Sequence, residues 1–166
     1  MSSTKKGTFN VNTTKKRRRR GFADESTSKL DKPAKEVTDE EWRKMLPDEV
    51  YHVAREAGTE RPHTSKFVKH FTPGKYNCYC CGAELFVSDA KFWTSCGWPS
   101  FSKSVEGDKN IVRIRDTSFG MERIEVRCKQ CNAHLGHVFQ NEGVTATEER
   151  YCINGCTLDF VPEKKD

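Results

Sequence analysis

Large apolar residues are sparse over the first 36 positions and then recur with two different periods. Residues 1–36 are rich in Lys, Arg, Ser and Thr. Such a stretch buries too little surface to offset its ordering entropy, so it is expected to be a disordered basic tail, with residues 37–166 forming the folded part. Order is expected from Thr38, because TDEE (38–41) reads as a capping box. Trp42, Met45 and Leu46 follow at helical spacing and predict a short amphipathic helix. A second helix is predicted from about Pro47, with Val50, Val53, Ala54 and Ala57 on one face and Gly58 placed for a left-handed cap. Beyond Gly58 the period shortens. KYNCY, ELFVS, NIVRIRD, MERIEVRC, HVF, RYCIN and TLDFV are short runs of β-branched and aromatic residues separated by turn formers. Ile111, Arg113 and Arg115 alternate with Val112 and Ile114. The connections are too short for helical crossovers, so the prediction is a mainly β, antiparallel fold with short N-terminal helices.

Charge divides the chain at the same place. The net charge is +5, yet residues 1–23 hold eight basic side chains and no acid, which leaves the remaining 143 residues at −3. Phosphate binding needs positive charge on the docking face, so nucleic acid is not expected as a partner of the folded part. The run KKRRRR (15–20) suits a nuclear address, and the acid-free start also resembles a mitochondrial transit peptide that lacks apolar residues. The compartment expected is cytoplasm or nucleus, with mitochondrion as the alternative. No apolar run reaches the roughly 18 residues that span a bilayer, so no membrane association is expected, and the chain is read as a monomer. With no secretory signal pattern, eight cysteines read as metal ligands and reactive thiols rather than a disulfide framework.

Cys78-x-x-Cys81 and Cys128-x-x-Cys131 are two pairs of equal spacing with 46 residues between them. Two such turns supply a tetrahedral four-sulfur shell for one Zn²⁺, and four thiolates leave no open position, so the zinc is read as structural. Gly82 and Asn132 follow the second Cys of each pair, and both tolerate the positive φ that such a knuckle needs. Cys80 is the alternative ligand in CYCC; Cys78 and Cys81 keep the two-residue spacing.

Cys80, Cys96, Cys152 and Cys156 remain. Cys152 lies in RYCIN beside Arg150, a cation that favours the thiolate, and Asn154 should share its face. Cys96 lies in TSCGWPSF, where Gly97 and Pro99 place a thiol and the Trp98 indole on a loop. His134 and His137 of HLGHVF are candidate proton donors, one of them a catalytic acid. A buried, inert role is the alternative for each thiol.

Five stretches, in this order, resemble the methionine sulfoxide reductase B family: GTERPHTSKF (58–67), YNCYCCGAELF (76–86), KFWTSCGWPSF (91–101), GMERIEVRCKQCNAHLGHVF (120–139) and RYCIN (150–154). The resemblance covers about residues 38–162. It implies two antiparallel sheets with short N-terminal helices, a structural zinc on Cys78, Cys81, Cys128 and Cys131, and reduction of the R epimer of methionine sulfoxide in proteins. That is a protein-repair chemistry of oxidative stress. It also implies Cys152 as the attacking cysteine and Cys96 as the resolving one. Trp98 would meet the substrate methyl group, and His134, His137 and Asn154 would line the sulfoxide pocket. A sulfoxide sulfur is electrophilic once its oxygen is protonated. Attack by Cys152, with a proton from His137, would therefore give methionine and a sulfenic acid. Cys96 would condense with it to an intramolecular disulfide, recycled by a thioredoxin-like dithiol.

The sequence departs from the pattern at three positions. His63 stands where Phe is usual, which should make one pocket wall more polar. Cys80 is an extra thiol. Cys156 replaces a small residue and, on period-two alternation, could share the face of Cys152 and compete as resolver. Two other functions fit parts of the chain: a zinc-ribbon module that binds nucleic acid through the basic tail, and a zinc-stabilised redox sensor.

Overall fold

The computed structural model describes residues 30–164 with the exception of residue 146. The predicted capping box forms. The Glu41 amide donates to Thr38 Oγ1 at 3.1 Å and the Thr38 amide to Glu41 Oε1 at 2.8 Å, which starts helix α1 (Asp39–Met45). At under two turns, α1 sends Trp42 into the core with Leu46 just beyond its end, while Met45 of the predicted face is half exposed. Helix α2 (Asp48–Glu56) buries Val50, Tyr51, Val53 and Ala54. Its left-handed cap is Ala57, at φ 59°, and not Gly58 as predicted. At Gly58 a Cβ would meet only the exposed His52 ring, 2.3 Å from its Nε2, a side chain free to turn aside. Order also starts before Thr38. A 3₁₀ turn at Ala34–Glu36 follows Leu30, and Leu30, Ala34 and Val37 pack on the core. The rest of the predicted tail, residues 1–29, lies outside the described residues.

Two antiparallel sheets carry the remainder. β1 (Gly74–Cys78), β2 (Glu84–Val87) and β9 (Leu158–Pro162) form the first, in the order β2-β1-β9. The second contains β3 (Lys91–Phe92), β4 (Ser100–Phe101), β5 (Ile111–Asp116), β6 (Arg123–Cys128), β7 (His134–Phe139) and β8 (Arg150–Ile153). Its order is β3-β4-β8-β7-β6-β5. β3 and β4 have two residues each, too few to show alternation. β5 is an edge strand, which is why its alternating pattern buries Ile111 alone and leaves Ile114 exposed.

Aromatic rings join the sheets. Phe86 of the first stacks on Phe101 of the second with centroids 4.3 Å apart, and Tyr76 meets Phe101 edge-on at 5.2 Å. Each buried ring of this kind removes roughly 150–250 Å² from water, so this cluster dominates the inter-sheet packing. α2 packs against β7 and the turn after β8.

β8 lies between β4 and β7, with Cys152 opposite Ser100 on one side and His137 on the other. β7 approaches it closely at Gly136, where a Cβ would lie 2.1 Å from the Cys152 carbonyl oxygen. That neighbour is backbone and cannot swing aside. Gly136→Ala is therefore expected to destabilise the fold by about 2 kcal/mol or more, as overpacking does, measured by denaturant unfolding with unchanged m-value.

Candidate active site and thiol cluster

Two turns with the same hydrogen bonding bring four cysteines together. In the first, the Gly82 amide donates to Cys78 O at 2.8 Å and the Cys78 amide to Ala83 O at 2.7 Å. In the second, the Asn132 amide donates to Cys128 O at 2.8 Å and the Cys128 amide to Ala133 O at 2.9 Å. Gly82 has φ 87° and Asn132 φ 65°, the positive values these turns were expected to need. Cys78 and Cys131 sulfurs are 3.6 Å apart, as are those of Cys81 and Cys128, and all four are buried. A tetrahedral ion with bonds of about 2.3 Å requires sulfurs roughly 3.8 Å apart, so the four thiols fit a metal ion such as zinc. Arg55 braces the cluster, with Nη2 donating to Cys131 O at 2.9 Å and its guanidinium over the Trp42 ring. Cys80 stays outside the four. Its thiol is pushed up to about 12, first by hydrogen bonding with Cys131.

Cys96 and Cys152, 56 positions apart in sequence, place their sulfurs 3.8 Å from each other. Two thiols this close do not both ionise at neutral pH. The hydrogen bond from Cys152 holds Cys96 down at about 4, helped by Ser100 and Thr94. The same interaction, with burial, holds Cys152 well above its ordinary value, and Arg150 opposes this by attraction. The pair therefore holds one proton and one negative charge. In this arrangement the charge rests on Cys96.

A pocket of about 100 Å³ opens on Cys152. Trp98, His137, Phe139, Gly136, Asn154, Thr59 and Arg123 complete its wall, which brings Trp98, His137 and Asn154 together around Cys152. His137 Nε2 bonds Asp116 Oδ2 at 2.8 Å, and this partner holds Asp116 far below the usual carboxylate range. His134 is buried and stands behind His137, the ring centroids 5.7 Å apart, rather than in the wall. Its Nδ1 bonds Glu125 Oε2 at 2.6 Å, and burial pushes its imidazole down, toward the neutral form. A register shift between Val126 and Arg127 lets both histidines, three residues apart, face the carboxylates of β5 and β6. Trp98 Nε1 donates to Glu60 O at 3.0 Å. Asn154 uses both ends of its carboxamide, accepting from the Glu60 amide at 2.9 Å and donating to Leu135 O at 2.9 Å.

Residues 46–162 match the SelR domain family. The chain is 60 % identical over 141 residues to the "Probable methionine-R-sulfoxide reductase B" of Caenorhabditis elegans, covering 85 % of this chain and 91 % of the relative. It is 53 % identical to the "Peptide methionine sulfoxide reductase MsrB" of Pseudomonas putida (strain W619), over 74 % of this chain and 91 % of the relative. With the protein of the same name from Methanosarcina barkeri (strain Fusaro / DSM 804), identity is 47 % over 80 % and 92 %. The chain belongs to the methionine-R-sulfoxide reductase B family.

This family member differs from the sequence reading at two of the unusual positions. Cys156 does not continue the alternation of β8, because the strand ends at Ile153 and Gly155–Thr157 turns as a 3₁₀ helix. Cys156 lines a separate groove with Glu49 and Glu60, and not the pocket on Cys152. His63, expected in the pocket wall, is exposed at φ 65°, its amide donating to Gly97 O at 2.7 Å. The sequence reading missed Asp116, Glu125, Arg123 and Glu60. Asp116 bonds His137, Glu125 bonds His134, and Glu60 bonds Asn154 and Trp98, while Arg123 lines the pocket and pairs with Asp116. These pairings cross strands or loops, and no local spacing announces them.

The shared proton has a direct test. In the reduced protein, iodoacetamide should already alkylate Cys96 at its plateau rate near pH 6. Cys152→Ala removes the main cause of the depressed value, so the half-maximal pH should move upward, toward 9. Mass spectrometry of the labelled peptides across pH reads both.

Proposed function

We propose that this protein catalyses thiol-dependent reduction of methionine-R-sulfoxide in proteins to methionine. The observation that carries the proposal is the Cys96–Cys152 pair at the edge of a small pocket that also holds His137 and its carboxylate partner. The pocket suits the end of a side chain, and its Trp98 and Phe139 walls suit the S-methyl group.

In the first step Cys152 passes its proton to Cys96 and attacks the sulfoxide sulfur. His137 donates a proton to the sulfoxide oxygen, and its carboxylate Asp116 stabilises the imidazolium that gives it. The substrate sulfur gains two electrons and leaves as methionine; Cys152 sulfur loses them and keeps the oxygen as sulfenic acid. Cys96, now a thiol at 3.8 Å, attacks the Cys152 sulfur. The S–O bond breaks, water leaves with the proton, and a disulfide forms. An external thioredoxin-like dithiol restores both thiols by exchange and is itself oxidised. Turnover on separated R and S sulfoxides of a blocked methionine tests the reaction: loss of the R form alone is expected, and equal loss of both contradicts the reading.

The thiol roles separate in variants. Cys152→Ser should abolish turnover with every reductant, because a hydroxyl does not replace the thiolate. Cys96→Ser should still make one methionine per enzyme and keep part of its turnover with dithiothreitol, while turnover with a thioredoxin-like protein collapses. Peptide mapping of the oxidised wild type should find a Cys96–Cys152 bond; a Cys152–Cys156 bond would reassign the resolver.

We further infer one structural Zn²⁺ per chain on Cys78, Cys81, Cys128 and Cys131. Such an ion supplies folding energy, since the binding free energy of a closed four-thiolate site is also folding free energy. Cys128→Ser is expected to lose the metal and to melt at a markedly lower temperature, read by atomic absorption and thermal unfolding. The basic run proposed as an address, with cytoplasm or nucleus as destination and mitochondrion as alternative, lies at residues 15–20, outside the described ones. Among the described residues no helix is long and apolar enough to cross a membrane.

A further inference from the structure

Glu60 sits where three parts of the pocket meet, and none of its four hydrogen bonds follows from its local sequence. The residue is 5 % exposed. One carboxylate oxygen, Oε2, accepts from the Gly155 amide at 2.6 Å, and the other, Oε1, accepts from the Cys156 amide at 3.1 Å. Its own amide donates to Asn154 Oδ1, and its carbonyl accepts from Trp98 Nε1. Thr59, the residue before it, lines the pocket on Cys152. The main chain of Glu60 thus holds two walls of that pocket, and its side chain ties the same main chain to the turn directly after the nucleophile strand. Gly155 leaves the room for this, because a Cβ there would lie 1.8 Å from Ser65 Oγ and 3.4 Å from Glu60 Oε2. A buried carboxylate carries a desolvation cost that hydrogen bonds must offset, so a residue of this kind is retained for what it holds.

We propose that Glu60 is a positioning residue for sulfoxide reduction, setting the separation of Trp98 and Asn154 across the pocket by anchoring residues 59–60 to the Gly155–Cys156 turn. This rests on the function proposed above and adds a determinant of substrate binding to it. Glu60 touches neither reacting sulfur. Cys152 lies on β8, whose pairing with β4 does not involve Glu60, and Cys96 lies on the loop before β4, with its thiol 3.4 Å from Trp98 O and 3.5 Å from Ser100 Oγ. Its loss should therefore loosen the fit of the bound side chain more than it slows the exchange of oxygen between sulfurs.

Glu60→Ala and Glu60→Gln, measured with dithiothreitol as reductant, test this. In Glu60→Ala, KM for the blocked R-sulfoxide should rise roughly tenfold while the single-turnover rate at saturating substrate changes less than about threefold. Glu60→Gln keeps one acceptor oxygen but sets an NH₂ against the second amide, so its KM should fall between wild type and Glu60→Ala. Tryptophan emission gives a readout without activity. In Glu60→Ala the main-chain carbonyl that accepts from the Trp98 indole remains but loses its anchor to the Gly155–Cys156 turn, so emission should shift, and the shift should vanish in a Trp98→Phe background. An unchanged KM and unchanged emission in a variant that keeps its bound metal and wild-type melting temperature overturns the proposal. So does a Glu60→Gln that matches Glu60→Ala in KM. If Glu60→Ala fails to fold, the Glu60→Gln pair of measurements decides alone. If the wild type does not reduce the sulfoxide, the functional reading fails, and the Trp98-dependent emission shift still decides whether Glu60 sets the pocket walls.

Discussion

The meeting of two cysteine turns, one at the end of β1 and one at the end of β6, is the constraint on which the rest of the structure depends. β1 belongs to one sheet and β6 to the other, so the four sulfurs fix the sheets at one end. The stacked Phe86 and Phe101 rings fix them at their faces. β6 in turn pairs with β7, β7 with β8 and β8 with β4, so the position of Cys152 between Ser100 and His137 is inherited through ladders that start at the thiol cluster. Metal-type geometry and thiol chemistry are separate in space and joined by hydrogen-bonded strands.

The surroundings of Cys152 depend on close approach at two points where side chains would interfere. Gly136 removes its side chain so that β7 lies against the Cys152 carbonyl, and Gly155 does the same where Ser65 and Glu60 meet the turn after β8. Polar groups around the pocket are largely committed to one another: His137 to Asp116, His134 to Glu125, Asn154 to Glu60 and Leu135. A pocket built this way is preorganised, with orientation supplied before any substrate arrives.

Local chemistry was legible in the sequence wherever a residue type has few roles. Gly82 and Asn132 marked left-handed knuckles, TDEE marked a helix start, and seven short apolar runs marked seven strands. Gly58 shows the limit of that logic, because a glycine answers equally to backbone dihedral and to crowding. Here the left-handed residue is Ala57, and Gly58 meets only the exposed His52 ring. Cys156 shows another limit: period-two alternation extrapolates only as far as the strand, and β8 ends at Ile153. β3 and β4 are too short to carry a period, yet Ser100 of β4 lies opposite Cys152. Asp116, Glu125 and Glu60 gain their meaning from partners 9 to 96 positions away. Exposed and buried carboxylates look alike in a sequence that is nearly one-third charged.

The 3.8 Å gap between Cys96 and Cys152 has a consequence for timing. A disulfide needs its sulfurs at about 2.05 Å, so closure requires a displacement of under about 2 Å, the scale of a side-chain rotation. Rotations of that size take picoseconds to nanoseconds, whereas the loop and lid movements that limit many enzymes take microseconds or longer. In the proposed cycle, intramolecular closure would then need no reorganisation of the fold. The slow interval of that cycle would fall to the intermolecular event, the arrival of a second thiol carrier, and throughput would follow the supply of reducing equivalents as much as the architecture of the protein.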